Sequence, residues 1–110
     1  MAHAERGMSA PPEVVFNTAT DPDRVDAWLP APLRRDGGTP AGITDPLGAH
    51  WRTSGSPTWS ARLQVRPGDA GGASVRLELA ADPQDRGLDR LADESLVNLA
   101  REVADNLTPG

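Results

Sequence analysis

The end of the chain, from Leu88 to Leu107, constrains the fold more than any other stretch. Its apolar residues recur mostly every three or four positions, which is the period of an α-helix. They are Leu88, Leu91, Ala92, Leu96, Leu99, Val103 and Leu107. A helix with one broad apolar face is not stable alone in water, so this segment predicts a partner surface elsewhere in the chain.

The boundaries of this helix are less clear than its apolar face. Asp82 can cap a helix whose first residue is Pro83, but Gly87 weakens that first turn, so the helix begins at either 83 or 88. Pro109 ends it. Ser95 interrupts the apolar face, and the simplest interpretation is a hydroxyl bonded back to its own helix.

Two segments with alternating apolar and polar residues predict the partner surface. Their apolar residues are Trp59, Ala61, Leu63 and Val65 in the first segment and Ala73, Val75, Leu77 and Leu79 in the second. Such alternation is typical of strands with one buried and one solvated face. The two sets share a face only if Val65 lies opposite Ala73 or Val75, which requires a loop with an odd number of residues.

Shorter elements come before this hairpin. Residues 3–9 predict a strand, Pro12 opens one short helix, and Asp21-Pro22 opens a second helix that carries Trp28. The remaining segments are predicted as a strand at Leu33–Asp36, a loop at Thr39–Gly48 and a strand at Ala49–Ser54. Trp51 lies within the last of these strands. The face of the sheet that it occupies depends on the length of the following turn, which the sequence leaves open.

Composition limits the classes of function. At 110 residues the chain is expected to be one domain, spanning residues 1–110, and its net charge of −5 argues against nucleic acid as a partner. Without cysteine it has no thiol nucleophile, and its two histidines lack the spacing of a metal site, so we expect neither metal nor cofactor. No segment predicts membrane insertion or an export signal, which makes the cytoplasm the expected location.

The order of elements and two stretches resemble the START-like, helix-grip superfamily, also called SRPBCC, which includes polyketide cyclase/dehydrase-like proteins. The stretches are SAPPEVVFNTATDPDRVDAWLP, from Ser9 to Pro30, and ESLVNLAREVADNL, from Glu94 to Leu107. The resemblance implies an α+β fold in which a curved antiparallel sheet, here of about five strands, grips the long C-terminal helix. Members carry more strands than this chain has room for, so the resemblance is to a shortened form.

The resemblance also implies a hydrophobic ligand pocket between the C-terminal helix and the sheet. The alternation of the hairpin then predicts the floor, and the apolar helix face predicts the roof. The predicted ligand-binding residues are Trp59, Leu63, Val75 and Leu77 in the floor, Leu91, Ser95 and Leu99 in the roof, and Trp28 near the mouth by resemblance alone. No catalytic residue is carried over, because the superfamily has no universal set.

Three functions are consistent with this sequence. The leading one is non-catalytic binding of a small apolar molecule in the pocket. An alternative is a polyketide cyclase/dehydrase-like enzyme, in which Ser95, His50 and Arg52 would be the candidate polar groups of the cavity. A third is a small interaction module with a filled core, in which Val97 belongs to a helix-face contact and a second copy of the chain is a candidate partner.

Overall fold

The computed structural model describes residues 2–34, 38–44, 46–53, 58–82 and 86–107, and of Leu107 only the backbone. The strands are β1 (Ala2–Met8), β2 (Gly42–Thr44), β3 (Gly48–Arg52), β4 (Thr58–Pro67) and β5 (Ala73–Asp82). The α-helices are α1 (Pro12–Ala19), α2 (Val25–Trp28) and α3 (Leu88–Leu107). Two 3-10 turns cover Ala31–Arg34 and Asp69–Gly71.

The described strands form one five-stranded antiparallel sheet in the order β1-β5-β4-β3-β2. In the central hairpin Val65 lies opposite Val75, as the alternation predicts, and Pro67 lies opposite Ala73. Residues 68–72 therefore form a loop with an odd number of residues, which keeps the apolar residues of β4 and β5 on one face. We call this the inner face and the opposite one the outer face.

The helices cover the inner face as one layer. The long helix α3 lies mainly against β1 and β5, whereas α1 packs on β4 and α2 packs beside α3. On α3, the buried residues are Leu88, Ala92, Leu96, Leu99 and Val103, each at most 3% exposed, together with Ser95. Arg101 on the other side of the helix is exposed. The predicted apolar face of this helix is therefore confirmed for these residues, whereas Leu91 is half-buried and the side chain of Leu107 lies outside the described part of the chain.

Polar contacts fix the short helices against α3. Arg24 donates from Nη1 to Glu102 at 3.3 Å and to Asp105 at 3.1 Å, and the hydrogen bond with Asp105 raises the pKa of this guanidinium. Asn106 donates to Thr18 Oγ1 at 3.1 Å, and Thr18 in turn donates to the carbonyl of Val14 at 2.7 Å. These contacts hold the helical layer in one arrangement over the sheet.

In the structure, α3 begins at one of the two residues predicted for its start, whereas α2 begins later than predicted. The N–H of Leu91 donates to the carbonyl of Gly87 at 2.9 Å, so α3 begins at Leu88; residues 83–85 and Pro109 lie outside the described residues. The second helix begins at Val25 rather than at Pro22. The Asp21 carboxylate accepts the N–H of Asp23 at 2.9 Å, which caps a turn that leads into α2.

Two predictions for the middle of the chain are wrong. Leu33 and Arg34 belong to a 3-10 turn and not to a strand, because the N–H of Leu33 donates back to the carbonyl of Pro30 at 2.9 Å. The rest of that predicted strand, residues 35–36, lies outside the described residues. The predicted loop at residues 39–48 contains β2, whose pairing with β3 places Gly42 opposite His50.

Candidate functional site

The residues predicted to line a pocket lie in or against one buried cluster between the helical layer and the inner face. In the floor, Leu63 lies opposite Leu77, and both are 0% exposed, as is Val75. In the roof, Leu99 is 0% exposed and Leu91 is half-buried. The alternation of the hairpin and the period of the helix thus place both sets on buried surfaces, with α3 mainly over β1 and β5 and α1 on β4.

Most of this interface is filled. No space large enough for a water molecule borders a side chain that is 0% exposed. The residues for which this is true are Leu63, Val75, Leu77 and Leu99. Solvent does reach Trp59, which is 8% exposed, and the half-buried Leu91. The accessible part of the predicted site therefore lies toward Trp59 and the N-terminal half of α3.

Ser95 is the polar group within this interface. Its residue is only 2% exposed, and no hydrogen bond from its hydroxyl to Leu91 or to another described residue is formed. The predicted bond back to its own helix is therefore not made. None of the described side-chain oxygen or nitrogen atoms is both sealed from solvent and unpaired. The Ser95 hydroxyl, which has no partner, therefore keeps some contact with solvent.

Trp28 lies in the core and pairs with Trp51. Their rings meet edge to face, with centroids 5.4 Å apart and an interplanar angle of 81°. Each ring is 1% exposed, and each indole N–H donates to a backbone carbonyl, Trp28 to Ala19 at 3.0 Å and Trp51 to Gly38 at 2.7 Å. The pair connects α2 to β3 and thereby closes the side of the interface away from β1.

Trp51 is the core residue that the sequence left unassigned. It lies on the inner face because it pairs with Ala61. Its neighbours His50 and Arg52 consequently lie on the outer face, where neither can act on a molecule bound inside. Of the three polar groups that the resemblance offered to an enzyme, only Ser95 is inside the fold.

The described residues provide little other chemistry at the interior. Among them, the buried polar side chains are Thr18 and Ser95, and no buried side chain carries a charge. No group of three or more His, Cys, Asp or Glu residues in the described part of the chain could hold a metal ion. None of the described helices is long and apolar enough to cross a membrane.

Comparison with known proteins identifies the fold. No protein-family model matches the sequence, and no curated protein matches it significantly. The solved structure of CalU16 from Micromonospora echinospora is 20% identical, with a TM-score of 0.64 over 97% of this chain and 76% of CalU16.

Two further solved structures come from biosynthetic systems. DynU16, a protein in the dynemicin biosynthetic locus, is 15% identical, with a TM-score of 0.64 over 96% of this chain and 47% of its own. BexL, a di-domain ARO/CYC from the BE-7585A biosynthetic pathway, is 18% identical, with a TM-score of 0.56 over 97% of this chain and 46% of its own. The chain thus spans about half the length of these two proteins. The fold is α+β, a five-stranded antiparallel sheet packed against a C-terminal helix, and it is the helix-grip fold that this chain shares with these three solved structures.

Proposed function

We propose that this protein binds a small apolar molecule between α3 and the inner face of the sheet, without catalysing a reaction. The observation that carries this proposal is the Ser95 hydroxyl, which is almost wholly buried and has no partner among the described residues. A hydroxyl that is sealed from water without a partner costs about 1–3 kcal/mol, and Ser95 avoids this cost through its remaining contact with solvent. A ligand with one hydrogen-bonding group would satisfy this hydroxyl and align its apolar body with Trp59 and Leu63.

The lining predicts the chemistry of the ligand. Apart from Ser95, the predicted site is made of leucine, valine and tryptophan side chains, and no charged group lies inside the described fold. A charged ligand would lose its hydration without gaining an ionic partner. The ligand class is therefore compact, neutral and ring-bearing, or short and lipid-like, with a single polar atom.

Binding requires the closed interface to open. Because Leu63, Val75, Leu77 and Leu99 leave no room for a water molecule, the ligand must separate α3 from the sheet near Trp59. The closed form then competes with the ligand, and the apparent affinity falls with the fraction of molecules in the open form. We expect the opening to start at the N-terminal half of α3, because Arg24 and Thr18 make their polar contacts with its C-terminal half.

Two other functions each have one observation in their favour. The similarity of the fold to BexL, an ARO/CYC protein, favours a polyketide cyclase-like enzyme, and such an enzyme would have Ser95 as its interior polar group. The absence of space around the core leucines favours a small interaction module with a filled core. In that case the function would reside on the surface, with a second copy of the chain as the first partner to test.

A melting screen against neutral aromatic and short acyl compounds tests the proposal. At a ligand concentration about a hundred times the dissociation constant, binding stabilises the folded state by about 2.7 kcal/mol. We expect at least one compound to raise the melting temperature of the wild type. Leu63→Trp should abolish that response by filling the site, whereas Gln64→Trp adds the same bulk to the outer face of β4 and should retain it.

The filled-core alternative predicts a different result from the screen: no compound would raise the melting temperature of the wild type. Leu63→Trp should lower stability by about 1–3 kcal/mol under either reading, because Leu63 is packed in the ligand-free form. The absence of any stabilising compound would therefore replace the ligand-binding proposal with the interaction module.

A further inference from the structure

The outer face of the sheet carries a half-open groove of about 400 Å³, on the side opposite the helices. Its shape follows from the register of three strands. Arg52, Ser60 and Ala80 form one row across β3, β4 and β5, and His50, Arg62 and Glu78 form the next row. Because the short side chains of Ser60 and Ala80 lie among longer ones, they form the floor of a hollow.

Two arginines of this groove form no ion pair within the described part of the chain. Arg52 and Arg62 are exposed and form no ion pair with another described residue. By contrast, Arg76 is paired with both Glu5 at 2.9 Å and Glu78 at 3.2 Å. The acid at the edge of the groove, Glu78, is therefore already partly neutralised by a residue that does not line the groove.

Two guanidinium groups are therefore available in the groove, since Glu78 is paired with Arg76, and another nearby acid, Asp82, lies at the end of the groove opposite Thr58. Arg52 on β3 and Arg62 on β4 are diagonal neighbours, one row apart, and such positions are about 7–8 Å from each other in a sheet. The Ser60 hydroxyl lies between them in the register and adds a donor. The methyl group of Ala80 makes part of the floor apolar.

We propose that this groove binds a small organic acid through its carboxylate. A guanidinium group presents two parallel N–H donors that match the two oxygens of a carboxylate, and such charged pairs are stronger than neutral hydrogen bonds. The carboxylate pairs with Arg62 or Arg52, and its short apolar body lies over Ala80. The sheet separates this groove from the interface between α3 and the inner face, so the inference does not depend on the proposed function.

NMR titration of the full chain with benzoate tests the groove. We expect saturable shifts of the backbone amides of Ser60 and Arg62 and of the side-chain N–H groups of Arg52 and Arg62. Benzamide has the same shape without the charge and should cause no comparable shifts. Arg62→Gln and Arg52→Gln should each weaken benzoate binding about tenfold or more, as expected for the loss of a charge-assisted bond.

Arg66→Gln is the matched control, because Arg66 lies on the outer face of β4 beyond the groove. It should change benzoate binding less than about twofold, in line with the small effect of distant exposed charges. Equal losses in Arg66→Gln and Arg62→Gln would overturn the inference, because the effect would then be general charge screening. Equal shifts with benzamide, or saturable binding of inorganic phosphate in place of benzoate, would overturn the assignment of a carboxylate.

Discussion

Trp51→Ala is expected to lower the free energy of unfolding by about 3–5 kcal/mol, the range for removing a large aromatic side chain from a core. The ring is 1% exposed and packs edge to face on Trp28. Its removal leaves a cavity beneath α2 and also leaves the carbonyl of Gly38 without the indole donor. Both losses act where Trp51 of β3 meets Trp28 of α2.

Urea denaturation of the variant measures this effect. Arg52→Ala is the neighbouring control on the outer face and should change stability by no more than about 0.5 kcal/mol. Trp51→Phe keeps an aromatic ring but removes the N–H, and should have an intermediate effect. A loss below about 1 kcal/mol for Trp51→Ala would contradict the placement of this ring in the core.

Leu99→Ala is the second large effect, with an expected loss of about 2–5 kcal/mol. Leu99 is 0% exposed near the middle of the apolar face of α3, so its truncation leaves a void that the surrounding leucines cannot fill completely. Arg101→Ala lies on the solvated side of the same helix and should cost about 0.5 kcal/mol or less. Equal shifts in melting temperature for the two variants would mean that the helix buries a different face.

The sequence predicted the elements whose side chains follow a regular burial period. The apolar face of α3 extends over many residues, and the start at Leu88 was one of two alternatives that Gly87 suggested. The alternation in β4 and β5 limited Val65 to two partners, and Val75 is one of them. In both cases a wrong phase would move an entire apolar set into solvent, so the pattern alone determines which face is buried.

The sequence could not predict features that lack a regular burial pattern. The edge strand β2 has only three residues, and Ile43 within it is 58% exposed, so no burial pattern marks it. The 3-10 turn at Ala31–Arg34 depends on Leu33 reaching the core rather than on any period. The facing of Trp51 depended on the connection to β4, whose length the sequence does not specify.

The two candidate sites, the interface between α3 and the sheet and the groove on the outer face, also differ in how much of each the sequence predicts. The residues between α3 and the sheet could be named from their positions on a strand or a helix, but whether they enclose a space depends on how their volumes fit in three dimensions. The groove on the outer face depends on cross-strand neighbours, since Ser60 forms a floor only because Ala80 lies beside it. Such neighbours become known only once the register of all three strands is known.

Native mass spectrometry of the protein purified from its own source cells tests the central proposal most directly. The account predicts a wild-type monomer that carries one neutral molecule, and a Leu63→Trp variant, prepared in the same way, without it. A wild-type protein with the mass of the bare chain, alone or as a dimer, would contradict ligand binding between α3 and the sheet.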